Sequence, residues 1–201
     1  MDLDVDLQNQ RFCIFGLQGS GKSVLVKTIL QSEKNSIVYD VLKEHQGFNR
    51  YLATHRQRSD AAIGELNRFV NQVVSGSHQI RLFILEEANR YCPPKPTPLP
   101  DSILDLNDFQ RHQKIAFGLV CRRPTQMHSD LVELAHYLFI YRLVGKNDCA
   151  YLEAIAEGLG EAARELEDYN FLVVTPGRKY YVHKPVADLT KTGIKAISEP
   201  S

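Results

Sequence analysis

The sequence lacks a surplus of charge of either sign. It has 201 residues, of which 24 are Lys or Arg and 24 are Asp or Glu. A broad basic surface, the usual electrostatic mark of a protein that binds nucleic acid, is therefore not expected. Any contact with a polyanion has to come from a local cluster of cations.

Cysteine is scarce, and its spacing is irregular. Cys13, Cys92, Cys121 and Cys149 form no closely spaced pairs, and two of them lie in strand-like apolar runs where a buried free thiol is normal. This usage favours a reducing, cytosolic compartment. The seven histidines show no close pair with metal-ligand spacing joined to cysteine or carboxylate, so a zinc site is not expected.

Long apolar runs are missing as well. The first residues, Met1-Asp-Leu-Asp-Val-Asp-Leu7, are acidic and lack the basic start and apolar stretch of a signal peptide. The most apolar later segment, 131–144, is interrupted by Glu133, His136 and Arg142. We therefore expect a soluble protein without a signal peptide or a transmembrane segment.

What the sequence does contain is typical of one folded domain. Apolar residues make up 43% and charged residues 24%, which argues against a disordered, collagen-like or coiled-coil chain. The length suits one α/β domain and is short for two. We predict a single domain over residues 1–201, with flexible ends at 1–10 and 190–201.

Strand-like apolar runs alternate with segments of helical periodicity. The runs span residues 11–16, 36–40, 80–85, 115–121 and 137–141, and the helical segments include 22–30 and 61–74. Continuous hydrophobic character is typical of buried parallel strands, so we predict a mostly parallel sheet covered by helices. Residues 171–175 and 179–183 flank Pro176-Gly177 and predict a C-terminal β-hairpin. We expect a polar connection at 43–60 and an extended loop at 93–100.

The segment from Gly16 to Ser23 reads Gly-Leu-Gln-Gly-Ser-Gly-Lys-Ser and lies between a predicted strand and a predicted helix. Glycines at such a turn let backbone N–H groups close around phosphates at a helix N-terminus. Lys22 supplies positive charge and Ser23 a hydroxyl for Mg²⁺. We predict that ATP binds here, through Gly16, Leu17, Gln18, Gly19, Ser20, Gly21, Lys22, Ser23 and Val24.

Two adjacent carboxylates, Glu86 and Glu87, follow the apolar run 82–85 directly. The carboxyl ends of strands are where ligands bind in open α/β sheets. Paired acids there can divide the work, with one at the metal ion and the other at the attacking water. We assign Glu86 to Mg²⁺ and Glu87 to the water, which predicts an ATPase.

Residues 85–94, Leu-Glu-Glu-Ala-Asn-Arg-Tyr-Cys-Pro-Pro, resemble the acidic strand end and proline-bearing continuation of the HerA and FtsK superfamily of DNA-pumping ATPases. Residues 111–124 resemble that superfamily's succession of an arginine, a glycine-containing strand and a Gln-Arg-Pro signature. The resemblance implies a P-loop NTPase fold with a RecA-like, mostly parallel central sheet flanked by helices, plus the C-terminal hairpin. Two departures are Glu86, where the family usually has Asp, and Arg122, where it usually has a sensing Gln.

The same resemblance implies two catalytic arginines. Arg111 falls where the family has an arginine finger that reaches the γ-phosphate of the neighbouring subunit. Its alternative is an ordinary solvated helix arginine. Arg122 could read the γ-phosphate in place of the usual Gln, although it adds charge. Arg123-Pro124 fits the family and would shape the turn, and Arg142 could pair with an acid or face an interface.

DNA contacts are predicted at Arg50, Arg56 and Arg58, which alternate with Phe48 and Tyr51. A polar surface loop is the alternative. A homo-oligomeric ring, pentameric or hexameric, needs only a few such cations per subunit because symmetry repeats them around the pore. Zero net charge is compatible with double-stranded DNA as the partner.

A stand-alone motor of this size resembles the genome-packaging ATPases of tailless, membrane-containing icosahedral double-stranded DNA viruses, including those of archaea. This implies an ATP-driven translocase in the host cytoplasm or on the virion, with a capsid vertex or internal membrane protein as a further partner. The alternatives are a cellular HerA-like translocase, a P-loop small-molecule kinase, which generally lacks the adjacent carboxylate, and an ATP-binding assembly switch.

Overall fold

Strand β1 is buried on both faces, and its side chains alternate between two cores. In the computed structural model, which describes residue 3, residues 5–76 and residues 79–186, Cys13 and Phe15 belong to one apolar cluster and Phe12 and Ile14 to the other. Successive side chains of a strand point to opposite faces, so a continuous apolar run places β1 in the middle of a covered sheet.

Eight strands form one sheet in the order β3-β2-β4-β5-β1-β6-β7-β8. They are β1 (Arg11–Phe15), β2 (Ser36–Asp40), β3 (Arg50–Leu52), β4 (Leu82–Leu85), β5 (Ala116–Cys121), β6 (Tyr137–Tyr141), β7 (Phe171–Val174) and β8 (Tyr180–His183). The first six pair in parallel, whereas β7 pairs antiparallel with both β6 and β8. The predicted P-loop NTPase fold, with its mostly parallel sheet and C-terminal hairpin, is confirmed.

Helices cover both faces of the sheet. They are α1 (Lys22–Ser32), α2 (Asp60–Phe69), α3 (Asp101–Gln113), α4 (Ser129–Glu133), α5 (Lys146–Ile155) and α6 (Leu159–Glu165). Buried residues of α1 join the Phe12 cluster, and those of the other five helices join the Cys13 cluster. Each connection from a strand to a helix at the carboxyl edge of the sheet is therefore flanked by a buried strand and a packed helix, which fix its two ends.

The connection predicted at 43–60 contains an additional strand. β3 pairs in parallel with β2 at the edge of the sheet, and the ring of Tyr51 stacks on that of Tyr39 with centroids 5.2 Å apart. A strand of three residues between polar neighbours has too little periodicity to be predicted from sequence. The pairing of β3 with β2 depends on the tertiary structure. The helix predicted over 61–74 ends as α2 at Phe69 and continues as a π-helical segment, Val70–Ser75.

The structure describes part of the predicted N-terminal end and the predicted loop at 93–100, but not the predicted C-terminal end. Leu3, Val5 and Leu7 pack against the Phe12 cluster, whereas residues 190–201 lie outside the described part of the chain. Residues 93–100 form neither helix nor strand. All four cysteines are free and buried. None of the helices within the described residues is long and apolar enough to cross a membrane.

Candidate nucleotide-binding site

The loop between β1 and α1 has a backbone that only glycine accommodates easily. Gly19 and Gly21 have φ angles of +78° and +106°, in the left-handed region that disfavours larger residues. A Cβ at Gly16 would lie 2.7 Å from Cβ of Tyr141. Val24 lies in the first turn of α1, where its N–H donates to the carbonyl of Gly21 at 3.0 Å. This geometry is that of a phosphate-binding loop at a helix N-terminus.

The ammonium of Lys22 lies over this loop. Its Nζ donates to the carbonyl oxygens of Gly16 at 2.6 Å and Leu17 at 2.9 Å. Burial lowers the pKa of Lys22, and the nearby carboxylates of Glu86 and Glu87 act in the opposite direction. Their attraction favours the cationic form that a phosphate needs.

The two predicted carboxylates follow β4 at the same edge of the sheet but have different partners. Oε1 of Glu86 lies 2.7 Å from Nε2 of His45, which is fully buried. Glu87 has a φ of +48°, and its carboxylate pairs with Nε of Arg90 at 3.4 Å and with Nε of Arg122 at 3.3 Å. A non-glycine residue in this conformation is strained, which is a common property of residues at functional sites.

Arg122 lies between the phosphate-binding loop and Glu87. It follows β5, which separates β1 from β4 in the sheet, and its carbonyl accepts the N–H of Gly16 at 3.2 Å. Its side chain is 44% exposed and pairs with Glu87. The structure therefore brings together three elements that the sequence places far apart, namely the loop of Lys22, the carboxylate of Glu87 and the guanidinium of Arg122.

A fourth element, the loop after β2, was not predicted. Oε2 of Glu44 accepts the hydroxyl hydrogen of Ser23 at 2.6 Å. The carboxylate of Asp40 accepts the backbone N–H groups of Glu44 at 3.0 Å and His45 at 3.1 Å. The available signal was Asp40 at the end of an apolar run, with an acid and a histidine close behind it.

The oxygen donors at this edge fit Mg²⁺. The described residues hold no cluster of three or more His, Cys, Asp or Glu side chains that would bind a metal by itself. A hard cation bound through one hydroxyl, nucleotide phosphates and water, with carboxylates nearby, is the arrangement that Mg²⁺ prefers. Ser23, Glu86 and Glu44 supply these groups.

A cavity of about 380 Å³ opens beside the phosphate-binding loop. It is lined by residues 17–20 together with Tyr141, Arg142, Val144, Asp168 and Tyr169. A larger groove of about 710 Å³ lies at the opposite edge, between residues 3 and 5–9 and the end of α1. The smaller cavity is the one that adjoins the residues described above.

The three arginines predicted to contact DNA differ in their surroundings. Arg50 pairs with the buried carboxylate of Asp40 at 3.0 Å, and Arg58 donates to the carbonyls of Tyr91 and Pro98. Arg56 is exposed, and within the described part of the chain its side chain has no hydrogen bond or ion pair. The DNA role of all three stays a prediction, and Arg50 has a structural role that the sequence did not indicate.

Arg111 lies away from the phosphate-binding loop of this chain. It is in the last turn of α3, which ends just before β5 begins, and thus lies at the amino edge of the sheet. Burial lowers the pKa of His136, with Arg11 and Arg111 acting in the same direction, which places these cations near the start of β6. Arg111 is exposed there, and its role as an arginine finger stays a prediction.

Arg123 and Arg142, the other two arginines singled out in the sequence, both pair with acidic side chains. Nε of Arg123 lies 2.7 Å from Oδ2 of Asp148, whose other oxygen accepts the hydroxyl of Thr125 at 2.6 Å. Arg142 pairs at 3.4 Å with the exposed Asp168. The turn at Arg123-Pro124 is thus tied to the start of α5.

Among solved structures, this chain is similar to the genome packaging NTPase B204 from Sulfolobus turreted icosahedral virus 2. In its complex with AMPPCP, that protein matches with a TM-score of 0.76 at 19% identity, over 89% of this chain and 99% of that chain. The two chains share one fold. A second structure, of B204, the DNA-packaging ATPase from Sulfolobus turreted icosahedral virus, matches with a TM-score of 0.75 at 17% identity, over 90% of this chain and 100% of that chain.

The resemblance predicted from the motifs is therefore confirmed at the level of the fold. The complex of B204 with ATP-gammaS matches with a TM-score of 0.74 at 17% identity, over 89% of this chain and 98% of that chain. The sequence matches no protein-family model and no curated protein. At such low identity the function has to be argued from the site itself.

Proposed function

We propose that this protein is an ATP-driven translocase of double-stranded DNA that packages a viral genome into a preformed capsid. The observation that carries the proposal is the meeting of Lys22, Glu87 and Arg122 at one edge of the sheet. A phosphate-binding loop alone would support nucleotide binding. The adjacent carboxylate and guanidinium are the groups that hydrolysis requires.

The residues have distinct roles in this proposal. The backbone N–H groups of residues 16–24 and the ammonium of Lys22 bind the β- and γ-phosphates. Glu87 orients the attacking water and accepts its proton, and Arg122 stabilises charge on the γ-phosphate. Mg²⁺, held at Ser23 with Glu86 nearby, would neutralise phosphate charge when bound.

Hydrolysis is proposed to take place at the interfaces of a homo-oligomeric ring, a pentamer or a hexamer. Support comes from Arg111, which is exposed at the edge opposite its own phosphate-binding loop and so suits a role in trans. B204, which shares the fold, is a genome packaging NTPase. We extend to this chain a DNA partner, a capsid vertex or membrane partner, and a location in the host cytoplasm or the virion.

An ATP-binding assembly switch is the second candidate. It is favoured by the pairing of Glu87 with both Arg90 and Arg122, because a carboxylate held by two cations is a weaker base. The two candidates differ in turnover. A motor hydrolyses ATP continuously and faster on DNA, whereas a switch binds ATP and turns it over slowly in either condition.

The test uses the full chain with Mg²⁺ and ATP, with and without double-stranded DNA and without any phosphate acceptor. We expect turnover that rises with DNA. Glu87→Gln should lower turnover by at least roughly 100-fold while the affinity for AMPPCP is retained. Turnover that persists in Glu87→Gln would remove Glu87 from its role, and turnover that requires an added acceptor would indicate a kinase.

The oligomeric state completes the test of the proposed function. Native mass measurement or negative-stain imaging, with and without ATP and DNA, should show a closed ring under at least the condition with both. A protein that remains monomeric while it hydrolyses ATP at full rate would contradict a site shared between subunits.

A further inference from the structure

The hydroxyl of Ser23 has a carboxylate partner, and that partner is not one of the acids predicted for the metal. Oε2 of Glu44 lies 2.6 Å from Oγ of Ser23 and accepts its hydrogen. Glu86, which the sequence assigns to Mg²⁺, has its Oε1 within 2.7 Å of His45 Nε2 instead. The residue that orients Ser23 therefore comes from the loop after β2.

Glu44 also differs from its neighbours in charge compensation. Glu87 is paired with two arginines, and Glu86 is hydrogen-bonded to a histidine. Within the described part of the chain, the side chain of Glu44 has Ser23 as its one hydrogen-bond partner and no ion pair. An exposed carboxylate without an ion pair, beside a metal-binding hydroxyl, adds negative potential where a divalent cation would lie.

The position of Glu44 is set by the fold rather than by a free loop. The carboxylate of Asp40, at the end of β2, accepts the N–H groups of Glu44 and His45 and pairs with Arg50. Burial would raise the pKa of Asp40, but these hydrogen bonds outweigh it and hold the pKa below its ordinary value. An ionised Asp40 thus anchors the turn that carries Glu44.

We propose that Glu44 is a positioning residue for the metal–nucleotide complex. By accepting the hydrogen of the Ser23 hydroxyl, Glu44 turns the lone pairs of that oxygen toward Mg²⁺, as outer-shell partners of metal ligands do. His45, in the same turn, lies within hydrogen-bond distance of the Glu86 carboxylate. This inference rests on the proposed function, since it concerns the ion that accompanies ATP.

The experiment measures the binding of AMPPCP to the full chain as Mg²⁺ is titrated. In Glu44→Ala, we expect the Mg²⁺ concentration at half-maximal binding to rise by roughly 10-fold or more. In Glu44→Gln the rise should be smaller, because the amide oxygen still accepts the Ser23 hydrogen. Binding in EDTA should stay within about twofold of the wild type for both variants, since the phosphate-binding loop is unchanged.

The matched control is Glu165→Ala, which removes the same charge from an exposed position on α6 and should leave the titration unchanged. A double-mutant cycle adds specificity. If Glu44 acts through Ser23, Glu44→Ala should cause little further change in a Ser23→Ala background, whereas additive effects would contradict the proposal.

The outcomes separate this inference from the proposed function. A Mg²⁺ midpoint in Glu44→Ala equal to that of the wild type would overturn the positioning role and leave Glu44 as a partner of Ser23 only when nucleotide is absent. A wild-type chain that fails to bind AMPPCP, or binds it equally well in EDTA and in Mg²⁺, would overturn the proposed function itself.

Discussion

Arg122 and Glu87 form an ion pair across the end of β5, with Nε of Arg122 lying 3.3 Å from Oε1 of Glu87. The pair joins Arg122, which the resemblance places where a sensing glutamine is usual, to the proposed catalytic base. A γ-phosphate bound beside them would compete with Glu87 for the guanidinium, because phosphate oxygens are strong acceptors of charge-assisted hydrogen bonds. Arg122 thus has a chemical partner in the same site.

Arg122→Ala should therefore weaken the binding of AMPPCP more than that of ADP. Removal of one charge-assisted hydrogen bond to the γ-phosphate predicts roughly a tenfold loss of discrimination between the two nucleotides. The measurement is calorimetric or fluorescence binding in Mg²⁺. Arg122→Lys keeps the charge but lacks the planar guanidinium. Its discrimination between the two nucleotides should lie between that of the wild type and that of Arg122→Ala. An equal weakening for both nucleotides would place Arg122 away from the γ-phosphate.

Arg111→Ala should abolish turnover only where subunits assemble, because Arg111 lies at the edge opposite its own site. Mixed one to one with Glu87→Gln subunits, it should recover up to about a quarter of wild-type turnover, the share of interfaces with both intact residues. His112→Ala, an exposed neighbour on α3, is the control. A mixture as inactive as its components would count against a shared site.

Arg56→Ala should weaken the binding of double-stranded DNA equally across sequences. Because the variant removes one phosphate-neutralising cation from each subunit, the slope of log affinity against log salt should also fall by about one for each subunit that contacts the DNA. Arg50→Ala should behave differently, because it deprives the buried carboxylate of Asp40 of its cation and so lowers stability. Arg164→Ala, exposed on α6, controls for the removal of one charge. An unchanged salt slope in Arg56→Ala would exclude a role for Arg56 at the DNA phosphates.

Asp148→Ala should lower the free energy of unfolding by about 2–4 kcal/mol. The Asp148 carboxylate is 2% exposed at its side chain and bonds both Arg123 and Thr125, whose polar groups would be left without their partner. Urea denaturation measures the change. The contrasting variant is Asp168→Ala, whose ion pair with Arg142 is exposed and should contribute less than about 1 kcal/mol. Equal losses of unfolding free energy in the two variants would show that the buried contacts of Asp148 stabilise the fold no more than an exposed ion pair does.

The anchoring of the Glu44 turn by Asp40 should depend on pH. Since the folded pKa of Asp40 lies below its ordinary value, its contribution to stability is present above the unfolded pKa of about 3.9. That contribution disappears as the pH falls further, through the folded pKa. The difference in unfolding free energy between the wild type and Asp40→Asn should therefore be largest near neutral pH and shrink below about pH 4. A constant difference would show that ionisation of Asp40 is irrelevant.

Local sequence was sufficient for the elements whose geometry is local. The glycines of residues 16–21 specify a turn that only they adopt easily, and the apolar runs 11–15 and 82–85 specify strands buried on both faces. Because the carboxyl ends of parallel strands share one edge, the sequence alone predicted that Lys22 and Glu87 lie at the same edge of the sheet. The candidate site and the parallel sheet followed from these patterns.

Only the tertiary structure decided which side chains meet across that edge. The three-residue strand β3, the ion pair of Arg50 with Asp40, and the hydrogen bond from Ser23 to Glu44 join segments that no local periodicity relates. Each depends on the order of strands in the sheet, which lines up the carboxyl ends of β2, β4, β5 and β1 along one edge. The sequence by itself predicted a phosphate-binding loop beside a carboxylate. The packing of the sheet decided that Glu44 is the acid that orients Ser23.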